Sequence, residues 1–193
     1  MQDSRKAILK TAITEFAKTG VFGTTIESVA EAAGVDPAIA RSLFVDRNGL
    51  LRATVEEITS PNVAAISMAV EGIDDPREFV RASMKHFDRF LYDNPDLVRA
   101  MQRCMADDPM LMATIYQTSM FPSEFAERLH SFVEKGQMRG DLLSVFMMLD
   151  SLMLFAHWVR PSFSKITDMD EDKVFETRFE FIMDVLENGL YTK

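Results

Sequence analysis

The chain has 193 residues, 21 basic against 30 acidic side chains and a net charge of −9. A hydrophobic share of 47% beside 26% charged residues is the composition of a folded globular protein and excludes an intrinsically disordered one. A single cysteine, Cys104, excludes an internal disulfide and a cysteine-built zinc site.

Helical periodicity runs through almost the whole chain. Ile8, Leu9, Ala12, Ile13 and Phe16 recur at helical spacing between a cap at Asp3 and a stop at Gly20. Thr25 caps a short helix with Ile26, Val29 and Ala30 inward, closed by Gly34. Asp36-Pro37 is the next start signal, a capping side chain followed by proline at the first helical position, and its helix ends near Phe44. Asp46 caps a fourth helix, which stops either at Pro61 or at Gly72. Asp75-Pro76, Asn94-Pro95 and Asp108-Pro109 open three more, the last meeting Pro122 and resuming to about Gly136. A helix over residues 141–160, a loop over 161–167 and a last helix over 170–190 complete the series. No β alternation and no internal repeat stand out. The expectation is an all-α chain of about nine helices, with an N-terminal domain over residues 1–58 and a larger helical body over 59–193.

Residues 1–55 carry seven basic and six acidic side chains, while the remainder carries a net −10. An acidic body repels a polyanion, and a near-neutral head can approach one. Residues 25–44 have the proportions of a helix-turn-helix, two short helices joined at Gly34-Val35, in which the second helix would lie in a DNA major groove. Helical spacing turns Ala40 and Phe44 toward Phe16 and Ala30 and leaves Ala38, Arg41 and Ser42 on the opposite face. On spacing alone an ordinary helical hairpin fits at least as well.

Beyond spacing, residues 8–51 resemble the N-terminal domain of the TetR family of bacterial transcriptional regulators. The resemblance lies in Ile8, Leu9, Ala12 and Phe16, then Gly20, Thr24-Thr25-Ile26, Val29-Ala30, Ala33-Gly34-Val35, and Phe44 with Leu50-Leu51 after Asp46. It implies a homodimeric repressor that binds double-stranded operator DNA of palindromic sequence and holds a small hydrophobic effector in each helical body; a cytoplasmic location is expected from the charged, polar N-terminus (Gln2, Asp3, Ser4, Arg5, Lys6). By the same resemblance Thr25 would give its hydroxyl and backbone amide to a phosphate at a helix N-terminus. Arg47 stands where a phosphate-binding lysine is usual, and Asp36, Pro37, Ala38, Arg41 and Ser42 stand where the recognition helix meets DNA. Two positions depart from the pattern: Arg41 replaces a tyrosine and Leu43 a histidine. Arginine can bind phosphate or make a bidentate contact to guanine, so both roles stay open for Arg41.

Residues 141–160 are apolar nearly all round, and the last helix is apolar on two sides; a helix with no polar face is buried on several sides. With the resemblance, this assigns Phe146, Leu149, Leu152, Met153, Phe179, Ile182 and Leu186 to a dimer interface. The family's cavity, together with the cluster of adaptable methionines in the middle helices, assigns His86, Phe87, Phe90, Met101, Met105, Tyr116, Met120, Phe121, Phe125, Met147, Asp150 and Phe155 to an effector pocket. The most apolar stretch, residues 144–159, contains Asp150 and His157 and is shorter than the ~20 apolar residues of a membrane span, so no membrane partner is expected. His86, His130 and His157 lack ligand spacing, and no phosphate loop or dinucleotide fingerprint occurs, so no catalytic residue, metal or cofactor is expected. Asp168, Asp170 and Asp172 alternate like the start of a calcium loop, but Lys173 and Phe179 occupy the positions that need glycine and glutamate. The competing reading is an all-α small-molecule-binding or interaction protein without operator binding.

Overall fold

The computed structural model describes residues 1–166 and 170–192. The described residues form ten helices: α1 (Gln2–Gly23), α2 (Ile26–Ala32), α3 (Pro37–Leu43), α4 (Arg47–Ala69), α5 (Pro76–Asp93), α6 (Pro95–Asp107), α7 (Pro109–Ser119), α8 (Ser123–Glu134), α9 (Leu142–Ile166) and α10 (Glu171–Gly189). One isolated antiparallel bridge, Met138 with Tyr191, is the sole β pairing among them. The all-α expectation holds, and the tenth helix arises at Pro122. That residue is extended (φ −56°, ψ 145°) and has no N–H to continue α7, so α8 begins as a separate helix. Pro61 acts differently. It sits inside α4, which continues to Ala69, at an exposed position where water can take the carbonyl left without a partner.

α9 also outruns its expected end at residue 160, reaching Ile166 for a total of 25 residues. Thr167, the end of the expected loop, and Asp168 of the calcium-like alternation lie outside the described residues. Length therefore no longer separates this helix from a membrane span: Leu142–Arg160 has a mean hydropathy of 1.7 over 19 residues. Its polar ties do. His157 Nε2 lies 2.8 Å from Asp88 Oδ1, and α9 packs on α5 and α8.

The chain divides into two compact units, one of residues 1–63 and 94–121, the other of residues 64–93 and 122–193. α6 and α7 thus group with the N-terminal helices, whereas the sequence places a boundary at residue 58. The cause is local to α1 and α6, which pack lengthwise through buried Ile8, Leu9, Ala12 and Phe16 on one and Leu97, Val98, Met101 and Cys104 on the other. Polar ties fix their register: Thr14 Oγ1 donates to Asp96 Oδ2 at 3.2 Å, and the Val21 N–H donates to Asp107 Oδ2 at 2.8 Å. Gly20 permits this approach. It has φ +71°, and a Cβ there would run into the Asp107 carboxylate.

In the second unit, Phe79 stacks on Phe125 and meets Phe132 edge-on, each with ring centroids 5.5 Å apart. Arg128 lies 4.2 Å from the Phe79 ring centroid and donates to the carbonyls of Val70 and Ile73, which satisfies backbone acceptors left at the end of α4. A buried charged cluster joins α5, α9 and α10, where Asp88 accepts from Arg178 as well as facing His157. Arg160 sits 3.8 Å from the Tyr92 ring centroid and donates to the Tyr92 carbonyl at 3.1 Å.

Candidate nucleic-acid interface

The head is built on one small core. Phe16, Ala30 and Ala40 are fully buried and Phe44 nearly so, as the spacing predicted. Thr25 caps α2 reciprocally: its Oγ1 accepts from the Ser28 N–H at 3.0 Å, and its own N–H donates to Ser28 Oγ at 3.1 Å. The Thr25 amide is therefore engaged in the cap. α2 ends at Gly34 (φ +66°), where the Val35 N–H returns to the Ala30 carbonyl at 2.9 Å. The turn sets up α3 directly, because Asp36 Oδ1 then accepts from the Ala38 N–H at 2.7 Å.

α3 has seven residues and buries only Ala40. Pro37, Ala38, Ile39, Arg41 and Ser42 are exposed. At 1.5 Å per residue such a helix is about 10 Å long, short enough to seat across a major groove ~12 Å wide. Ser42 Oγ donates back to the Ile39 carbonyl at 2.7 Å, so in this conformation the hydroxyl can only accept. Asp46 starts α4 by accepting from the Gly49 N–H at 2.7 Å. Arg47, half-buried at the first position of α4, lies 5.1 Å from the ring centroid of Phe22, which is 60% exposed.

The structure adds a residue that sequence reasoning missed. Arg41 Nε donates to Glu27 Oε1 at 2.6 Å, joining the exposed face of α3 to the first turn of α2. The Arg41 hydrogen bond holds the Glu27 carboxyl below the usual carboxylate range. Fourteen residues separate the two, so no helical spacing could have paired them.

The other expected sites are redistributed. Of the twelve effector residues, Met101, Met105, Tyr116, Met120 and Phe121 belong to the first unit and the rest to the second. Phe87, Met101, Met120 and Phe125 are buried as core, and His86, Met147 and Phe155 are exposed. Tyr116 pairs with Phe121 (6.3 Å) and Phe125 with Phe146 (6.4 Å). None of the twelve lines the cleft of about 510 Å³ in the second unit, which lies between α5 and α10 and is walled by Lys85, Asp88, Tyr92, Phe175, Glu176 and Glu180 among others. Asp150 keeps one property suited to a site: burial pushes its carboxyl up to about 7. Cys104 is buried and its thiol pushed up to about 12, which leaves it no thiolate at neutral pH.

The residues expected at a dimer interface differ in their exposure within the chain. Leu149, Met153, Phe179, Ile182 and Leu186 are already buried within the chain, because they form the inward faces of α9 and α10. Phe146 is half-buried against Phe125, and Leu152 is 37% exposed. Among the described residues, large apolar side chains left to solvent include Leu143, Met147 and Phe155 on α9, at intervals of four and eight, with Ile166 at its end, and Phe181 and Val185 on α10.

No protein-family model and no curated protein matches the chain. Solved structures do. A TetR-family transcription regulator from Marinobacter aquaeolei VT8 is 20% identical with a TM-score of 0.72, covering 100% of this chain and 97% of that one. The TetR-family regulator PfmR from Thermus thermophilus is 18% identical with a TM-score of 0.65, covering 96% of each chain. The fatty acid degradation regulator FadR from Bacillus halodurans is 17% identical with a TM-score of 0.65, covering 93% of this chain and 94% of that one. The chain has the all-α fold seen in these TetR-family transcription regulators.

Proposed function

We propose that this chain, sharing the fold of the TetR-family regulators, is a sequence-specific DNA-binding transcription regulator. The observation that carries the reading is α3, braced by α2 and buried only through Ala40, with Arg41 exposed on its outer face. Inserted in a major groove, α3 brings Ala38, Arg41 and Ser42 to base edges. The Thr25 hydroxyl and Arg47 then hold flanking phosphates, Arg47 by leaving the Phe22 ring. Ala38 and Ile39 offer methyl contacts to thymine, so much of the remaining selectivity falls to DNA shape.

The finer parts of the proposal are a homodimeric cytoplasmic repressor, a palindromic operator and release by a small, largely apolar effector. The exposed stripe Leu143, Met147, Phe155 with Phe181 and Val185 supports a two-fold helical interface, since a second copy presents the same stripe. The effector reading draws on the resemblance and on a fatty acid degradation regulator among the similar structures. It does not draw on the charged cleft between α5 and α10. Release is a population shift: an effector that prefers the conformation with wrongly spaced heads lowers DNA affinity by its differential affinity for the two states.

The test is selection of a randomised duplex library on the full-length protein, followed by titration of selected and scrambled duplexes. Wild type should enrich a two-fold symmetric site. Arg47→Ala should weaken selected and scrambled DNA alike, and the slope of log K against log salt should fall by roughly 0.9 for each phosphate no longer neutralised. Folded variants Arg41→Ala and Arg47→Ala that both keep wild-type affinity and salt slope would exclude this docking face. A protein that gains thermal stability from a hydrophobic ligand yet enriches no DNA would be a binding protein without an operator.

A further inference from the structure

The ion pair between Glu27 and Arg41 bears on which of two partners Arg41 takes, and the inference rests on the DNA-binding reading above. We propose that Glu27 is a specificity-determining residue of the DNA-binding face: it holds Arg41 through Nε and so commits the guanidinium to a guanine edge and withholds it from phosphate.

Three observations combine. The first is geometric. Arg41 Nε is spent on Glu27 Oε1 at 2.6 Å, while both side chains stay about half exposed, at 61% and 49%. The bond takes the Nε–H of the planar guanidinium and leaves the end-on pair of its terminal amino groups for another acceptor. Two parallel N–H donors are what the O6 and N7 acceptors of guanine require.

The second is electrostatic. Beside its carboxylate partner, Arg41 contributes no net charge to the face. A phosphate approaching the guanidinium must also approach the Glu27 carboxylate, and two anions sharing one cation repel. The guanine acceptors carry no net charge, so the carboxylate penalises them far less. Glu27 therefore lowers the affinity of Arg41 for backbone more than for base, which is the condition for selectivity.

The third is positional. Glu27 lies in the first turn of α2, two residues from Thr25, where the proposed phosphate contact is made. A carboxylate left uncompensated there would repel that phosphate. Binding through the backbone alone thus requires either an unpaired Glu27 or an Arg41 still held away from phosphate, and both weaken non-specific binding. A near-neutral head, with seven basic and six acidic side chains over residues 1–55, has little other charge to hide the effect.

The test uses the full-length protein and a duplex enriched from the randomised library, with its scrambled counterpart as control. For wild type, replacing one symmetric G·C pair should weaken binding by about tenfold to a hundredfold, the worth of a bidentate arginine contact. Arg41→Ala should abolish that preference. Glu27→Ala should reduce it to a few-fold, tighten binding to scrambled DNA, and steepen the salt slope by roughly 0.9 for each guanidinium that moves to phosphate. Glu27→Gln restores an acceptor for Nε without the charge, so it should recover much of the base preference while keeping the steeper slope. All variants are compared at wild-type melting temperature and mass.

A Glu27→Ala protein with wild-type preference at the G·C pair and unchanged scrambled affinity overturns the proposal. So does a wild-type protein that enriches a site containing no base pair sensitive to Arg41→Ala, in which case DNA binding stands and Arg41 is a phosphate contact. If wild type enriches no duplex at all, the DNA-binding reading itself falls, and this inference with it.

Discussion

α3 and α9 expose different kinds of surface. α3 buries one residue and shows solvent Ser42 and the ion-paired Arg41 beside the apolar side chains of Pro37, Ala38 and Ile39. α9 is apolar almost all round, yet within the chain it buries one side, through Val145, Leu149, Met153, Leu154 and His157, and leaves Leu143, Met147 and Phe155 to solvent. A short, mixed face of that kind on α3 is stable in water and can meet a polyanion reversibly. An apolar face of the extent seen on α9 is costly to leave wet and calls for a permanent cover. The two helices therefore point to two kinds of partner, one transient and one lasting.

The sharpest way to break the comparison is a pair of substitutions two residues apart on α9. Met153 is fully buried, so Met153→Asp places a carboxylate in the core at a cost of several kcal/mol and should give unfolded or insoluble protein. Phe155 is 61% exposed, so Phe155→Asp should keep the wild-type circular dichroism and melting profile while halving the mass in sedimentation. A Phe155→Asp protein with the mass of wild type would show that this stripe does not pair two copies.

A smaller effect is expected where the head gains its register. Gly20→Ala forces a side chain onto a backbone at φ +71° and displaces the Asp107 carboxylate from the Val21 N–H. The strain and the broken hydrogen bond together should cost about 2–4 kcal/mol in urea unfolding. A variant as stable as wild type would mean that the tie between α1 and α6 is dispensable.

A further expected effect is a pH dependence. Burial raises the Asp150 carboxyl from its ordinary value near 4 to about 7, so the folded chain holds its proton more tightly than the unfolded chain. This contribution to stability is complete below about pH 4, declines as pH rises toward 7 and is gone above it. Asp150→Asn, neutral throughout, should match wild type at low pH and exceed it increasingly up to about pH 7, with a constant gap beyond. Urea midpoints measured from about pH 4 to 8 check this; a gap that does not vary with pH would assign Asp150 an ordinary titration.

Local signals determined much of this protein. The caps at Thr25, Asp36 and Asp46, the left-handed glycine at Gly34 and the inward set Phe16, Ala30, Ala40 and Phe44 act within a few residues of themselves, so the head was readable from the chain. The tertiary structure decided what depends on distant partners. A helix apolar all round, such as α9, carries no periodic mark of which face is core, and packing alone turned Leu149 and Met153 inward and Met147 and Phe155 outward. The same holds for α10, where Phe179 and Ile182 face the core and Phe181 the solvent. It holds for Glu27 and Arg41, whose pairing exists only once α2 and α3 have docked. It holds for α6, because Asp107 meets Gly20 and Val21 across 86 residues of separation from the latter, and nothing in either segment names the other. Capping and turn chemistry are written in neighbouring residues, whereas the choice of a buried face is made by whatever second surface excludes water from it.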